Sequence, residues 1–151
     1  MKHLTTTMCS VLLALLAIPG YSQNKQTGKP SQFAAQPSSF QLTESQLGSF
    51  FAASKGQNIS VALASSFTLA GPVTSNLTKY KNLQTVVVQL PAFNNSLFSL
   101  SKQTDEHNNT IYVGRILNPL YADAYELKRN PDGNYQLIKF DLDKILVTCN
   151  Q

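Results

Sequence analysis

Ser96–Phe140 reads SLFSLSKQTDEHNNTIYVGRILNPLYADAYELKRNPDGNYQLIKF, and two hairpins are written in it. Ser96 to Gln103 and Thr110 to Leu117 are strand-like runs flanking the polar turn Asp105-Glu106-His107-Asn108-Asn109, and Asn118-Pro119 breaks the second run. Asp123 to Arg129 and Asn134 to Phe140 flank Asn130-Pro131-Asp132-Gly133, the strongest hairpin signal in the chain, with Gly133 placed to take positive φ. Strands joined in succession by short turns form an antiparallel meander.

Upstream, Gln84 to Leu90 is rich in β-branched residues and ends at Pro91, which predicts another strand. Ile59, Val61, Leu63, Phe67 and Leu69 alternate with small or polar residues, which predicts one long amphipathic strand stopped by Gly71-Pro72. Val73 to Asn82 fits no single pattern. Before these strands, Thr43-Glu44-Ser45-Gln46 is a capping box with Leu42 and Leu47 placed as a hydrophobic staple. Leu47, Phe50 and Phe51 share one helical stripe, and Lys55-Gly56 ends the helix. After Asp141, residues Leu142, Ile145, Leu146 and Cys149 fit a helical face, while Ile-Leu-Val-Thr also suits a strand. The expected fold is α+β: a mainly antiparallel, strongly curved sheet of about six strands, a short N-terminal helix and either ending at the C-terminus. A small closed β-barrel is the alternative.

The first 22 residues, MKHLTTTMCSVLLALLAIPGYS, have the form of a secretory signal peptide. Lys2 gives the positive start, Val11 to Ile18 is the apolar run, and Gly20 and Ser22 are the small residues before a cut at Gln23. The run is far short of the roughly 20 residues that span a bilayer, so no transmembrane segment is expected after cleavage. The division that follows is signal peptide 1–22, flexible leader 23–40 and a single β-rich domain 41–151. A membrane barrel is not expected either, since about six strands fall below the usual minimum of about eight.

Export places the chain outside the cytoplasm, in the periplasm, at the cell surface or in the medium. Without Lys2 the chain carries eleven Lys and Arg against eight Asp and Glu, and no basic cluster interleaves with aromatics, so nucleic-acid binding is not expected. Cys149 is the only cysteine left after cleavage, which excludes an intramolecular disulfide.

Catalytic signatures are equally sparse. His107, the only histidine beyond the signal, sits in a polar turn, and neither it nor Cys149 has a zinc-ligand spacing. Asp123 and Glu126 are close in sequence, but three positions apart on a strand they point to opposite faces. No P-loop, dinucleotide fingerprint or Gly-x-Ser-x-Gly elbow occurs, and no cofactor or metal is expected. One constellation stands out. Tyr112, Tyr121, Tyr125 and Tyr135 fall within 24 positions, and Arg115 shares an alternation face with Ile111, Val113 and Leu117. An arginine on an apolar face needs a partner, which Asp123 or Glu126 on the next strand supplies. Tyr112, Arg115, Tyr121, Asp123 and Tyr125 are thus either a structural ion pair among tyrosines or a groove for a polar or anionic ligand or a protein partner.

The signal ending Tyr21-Ser22 before Gln23 looks like those of exported Bacteroidota proteins. Tyr112 to Phe140, with Tyr-Val-Gly-Arg-Ile, Tyr-Ala-Asp-Ala-Tyr-Glu-Leu-Lys and a Gly turn, resembles small uncharacterised exported proteins of that phylum. The resemblance covers about a third of the chain and implies no activity or site residues. The leading expectation is an exported, non-enzymatic domain for binding or assembly. An envelope hydrolase of glycan or peptide and a small-ligand carrier are the alternatives.

Overall fold

A computed structural model describes residues 28–142. Residues 1–22, expected to be a signal peptide, the start of the expected leader and the C-terminal stretch with Cys149 lie outside the described residues. Within them, eight antiparallel strands form one sheet, with a single short α-helix. The strands are β1 (Ser39–Leu42), β2 (Asn58–Ala64), β3 (Phe67–Tyr80), β4 (Leu83–Leu90), β5 (Ser96–Thr104), β6 (Thr110–Leu117), β7 (Asp123–Arg129) and β8 (Tyr135–Asp141). The helix α1 spans Glu44–Ser49. Sheet order is β1-β8-β7-β6-β5-β4-β3-β2, a meander whose first strand returns to pair with the last. The end strands β1 and β2 approach each other, so the sheet curls into a nearly closed barrel.

The expected meander is present, and its strand count is corrected from about six to eight. Ile59 to Leu69 is two strands rather than one, because Ser65-Ser66 turns the chain between β2 and β3. Gly71-Pro72 does not stop β3; it is where the strand changes partner. Residues up to Pro72 pair with β2, and Val73 onward pairs with β4. A Cβ on Gly71 would lie 1.9 Å from the Gln89 carbonyl oxygen, so only glycine permits this approach. Pro72 pairs with Asn58, the first residue of β2, where its missing N–H falls at a ladder end.

Helix α1 starts as its capping box requires. The Gln46 amide donates to Thr43 Oγ1 at 3.2 Å, and the Thr43 amide donates to Gln46 Oε1 at 2.9 Å. Its last turn tightens into a 3-10 turn over Phe50–Ala52, so the α-helix is shorter than a stripe running to Lys55 implies. Leu47 and Phe50 are fully buried. The Asn130 to Asn134 turn also forms as expected, with Gly133 at φ +88.

The leader reading is corrected from residue 30 onward. Phe33 is fully buried and Phe40 nearly so, and Ser39 and Phe40 already belong to β1. The register places α1 and this N-terminal strap at opposite ends of the barrel. Phe33 packs edge-on to Tyr125 at 4.9 Å between ring centroids, and Phe67 stacks on Phe40 at 4.2 Å and on Phe93 at 4.8 Å. From the α1 side, Phe50 reaches Phe98 at 5.0 Å. Burying several aromatic rings, each worth about 2–3 kcal/mol, supplies a core that needs no covalent staple.

Eight strands remove the counting argument against a membrane barrel. What speaks against one is the direction of the side chains: most phenylalanines and leucines fill the interior, and the outer face mixes Thr85, Ser101, Arg115 and Lys128 with a few aliphatic groups such as Leu97 and Val113. A membrane barrel reverses this, with an apolar band outside and a polar lumen. No helix among the described residues is long and apolar enough to cross a membrane.

Candidate functional site

The five residues singled out in the sequence separate onto two sides of the sheet. Tyr112 and Tyr125 point inward and are buried. Tyr125 donates its hydroxyl to the Pro37 carbonyl, and burial, with Asp123 nearby, pushes its phenol pKa up to about 12. Tyr112 also has a raised pKa, mainly from burial. Its amide donates to the Tyr135 hydroxyl at 3.1 Å. That bond has a clear cause: β6 and β7 are in register only from Gly114↔Leu127 to Ile116↔Tyr125, so the Tyr112 N–H lies beyond the ladder. Tyr121 is half-buried in the β6–β7 connection, its amide closing a turn onto the Asn118 carbonyl.

Asp123 serves the strap. Its carboxylate accepts from Ser31 Oγ, from the Gln32 amide at 2.6 Å and from the Phe33 amide at 2.8 Å. Lys139 on β8 completes the clamp, its Nζ donating to the Phe33 carbonyl at 2.9 Å and the Gln36 carbonyl at 2.7 Å. Asp123 lines one surface cleft with Ser31, Lys139 and Asp141, and Asp141 is its cross-strand partner. Two carboxylates side by side are what hydrolytic acid–base chemistry uses. Here, both Asp123 oxygens and the Lys139 ammonium are already committed to backbone groups of the strap, which is a structural role.

Arg115 faces outward. Its Nη2 lies 2.8 Å from Glu126 Oε1 and its Nε donates to the same oxygen at 3.2 Å, while Lys128 Nζ takes Glu126 Oε2 at 3.2 Å. The Arg115 hydrogen bond, aided by Lys128, lowers the Glu126 pKa below its ordinary value. Of the two acids expected to pair with Arg115, Glu126 is the partner and Asp123 is not. The five residues therefore do not form one groove.

The same outward face carries exposed aliphatic residues. Val113 is 59% exposed, Leu97 44% and Ile111 42%. Ile111, Val113 and Arg115 alternate with inward Tyr112, Gly114 and Ile116, so the apolar face that Arg115 shares is the outer one. On β5, Ser99 and Ser101 pair with Arg115 and Val113, leaving the surface beside them small and uncharged. The arrangement is a three-residue charge network bordered by exposed aliphatic side chains on the outer face of the sheet.

Among the described residues no cluster of His, Cys, Asp and Glu is arranged to hold a metal ion. No buried polar side-chain atom there is left without a hydrogen-bond partner. Compared with protein-family models, curated proteins and solved structures, the chain gives no match to any of them.

Proposed function

We propose that this chain is an exported, non-enzymatic binding domain that acts in the periplasm or at the cell surface and holds a protein partner on the outer face of β5–β7. The observation that carries this reading is the exposure of Val113, Ile111 and Leu97 around the Arg115–Glu126–Lys128 network. Aliphatic groups held on a sheet lose little conformational freedom when covered, and an arginine among them has the composition of an interface hot spot. Two cations share one carboxylate, so the network keeps one positive charge. The favoured partner therefore sets an acidic side chain between apolar contacts. Export is supported by the pattern of residues 1–22, whose apolar run and small residues fit signal cleavage.

The test is site-specific photo-cross-linking in envelopes of the producing cell, with the cross-linker at Ile111 and a matched sample carrying Val113→Asp. A discrete heterologous protein, cross-linked by the first and lost in the second, supports the reading. Equal cross-linking in both samples, or cross-links only to a second copy of this chain, overturns it. Intact mass tests the export step: a chain starting at Gln23 supports it, and one retaining residues 1–22 overturns it.

A further inference from the structure

At the α1 end of the barrel, the β3–β4 turn leans over the end of β5, and the Thr104 amide donates to the Asn82 carbonyl at 2.9 Å. Between them lies a cleft of about 140 Å³ lined by Thr78, Lys81, Asn82, Leu83, Gln84, Lys102 and Thr104. Mouths of β-barrels are recurrent ligand sites, because strand ends converge there and their side chains point toward one volume. This lining is unlike the core below it. Besides Leu83 it offers two ammonium groups, two hydroxyls and two carboxamides, and no carboxylate.

Each cation is available. Neither Lys81 nor Lys102 forms an ion pair among the described residues. Lys102 Nζ lies 5.1 Å from the Phe51 ring centroid, a contact that leaves its charge unneutralised. Gln84 is fixed by donating to Asn76 Oδ1 at 2.9 Å, and Asn76 in turn donates to the Ala53 carbonyl at 2.8 Å. The acids closest in sequence are on the β5–β6 turn. There the Asp105 carboxylate accepts from the His107 and Asn109 amides and from Asn109 Nδ2, and Glu106 is exposed.

We infer that this cleft binds the anionic group of an acidic polysaccharide, with Lys81 and Lys102 on the carboxylate or sulfate. Thr78, Asn82, Gln84 and Thr104 take the sugar hydroxyls. The uncharged donors and acceptors distinguish a sugar acid from a bare ion, because a bare ion leaves most of them unused. The inference is independent of the outer face of β5–β7.

Titration of the folded chain with an oligogalacturonate, followed by amide chemical shifts, tests it. The expected result is perturbation confined to residues 78–84 and 102–104, and affinity reduced about tenfold in Lys81→Gln and in Lys102→Gln, as loss of one charge-assisted hydrogen bond implies. Lys55→Gln, an exposed change elsewhere, should leave affinity unchanged. A neutral galactose oligomer and inorganic sulfate should each bind at least about tenfold more weakly than the acidic oligomer. No saturable shift, equal loss in Lys55→Gln, equal binding of the neutral oligomer, or sulfate binding as tightly as the oligomer would each overturn the inference.

Discussion

Replacing Asp123 with alanine should detach the N-terminal strap, and the size of the effect follows from its hydrogen bonds. The carboxylate accepts from Ser31 Oγ and from the Gln32 and Phe33 amides, and Phe33 is wholly buried beneath the strap. An unsatisfied buried donor costs roughly 1–3 kcal/mol. The serine hydroxyl can turn to water, so two orphaned amides set a cost of about 3–4 kcal/mol. Detachment limits that cost, because the strap can leave and forfeit the burial of Phe33, worth about 2–3 kcal/mol. The expected loss is about 3 kcal/mol, or roughly 1.5–2 M in urea midpoint for a domain of this size. Asp123→Asn keeps one acceptor oxygen and should lose about half as much. Lys139→Met leaves the Phe33 and Gln36 carbonyls, which water at the cleft can reach, at a cost of about 1 kcal/mol. Urea denaturation of the three variants, with limited proteolysis of the strap, measures the series. Asp123→Ala within about 1 kcal/mol of the parent, or Asn worse than Ala, would refute the clamp.

Two further outcomes rest on the tyrosines. Tyr135→Phe should cost about 1–2 kcal/mol by orphaning the buried Tyr112 amide, read as a lower denaturant midpoint; an unchanged midpoint would mean the β6–β7 gap is filled some other way. Above pH 10 an unfolded tyrosine releases its proton while folded Tyr125 keeps it to about 12. The native state then binds more protons than the unfolded one, so stability is intact below pH 10 and falls toward pH 12 by on the order of 2 kcal/mol. Tyr125→Phe should flatten that alkaline decline, and a decline of equal slope in the variant would assign it to other groups.

Local chemistry was legible in the sequence, and long-range partnership was not. The capping box at Thr43 and the Asn130–Asn134 turn depend on residues within four positions of one another, and both form as read. Phe33 sits among glutamine, serine and alanine with no apolar period, and its anchor, Asp123, is 90 residues away. Nothing local distinguishes such a strap from a leader. Gly71-Pro72 misleads for a related reason. Beside a single partner that dipeptide ends a strand, but β3 changes partner there, and the glycine is required by the nearby Gln89 carbonyl rather than by a turn.

The candidate site was hidden by an ambiguity in β6. Thr110 to Leu117 is apolar on both alternation faces: Ile111, Val113 and Leu117 on one, Tyr112 and Ile116 on the other. Periodicity alone identifies a strand there and leaves its inside undetermined, because a one-position shift exchanges the two faces. Arg115 marks the outer face, since a guanidinium can stay solvated there while reaching Glu126 directly across the ladder. Gly114 marks the inner one: a Cβ at that position would lie 3.0 Å from Leu100 Cδ1 and 3.3 Å from Phe98 Cε2. Once Gly114 is fixed inward, Val113 and Arg115 must face out together. The exposed aliphatic patch and its charge network therefore follow from one packing constraint rather than from two separate features of the surface.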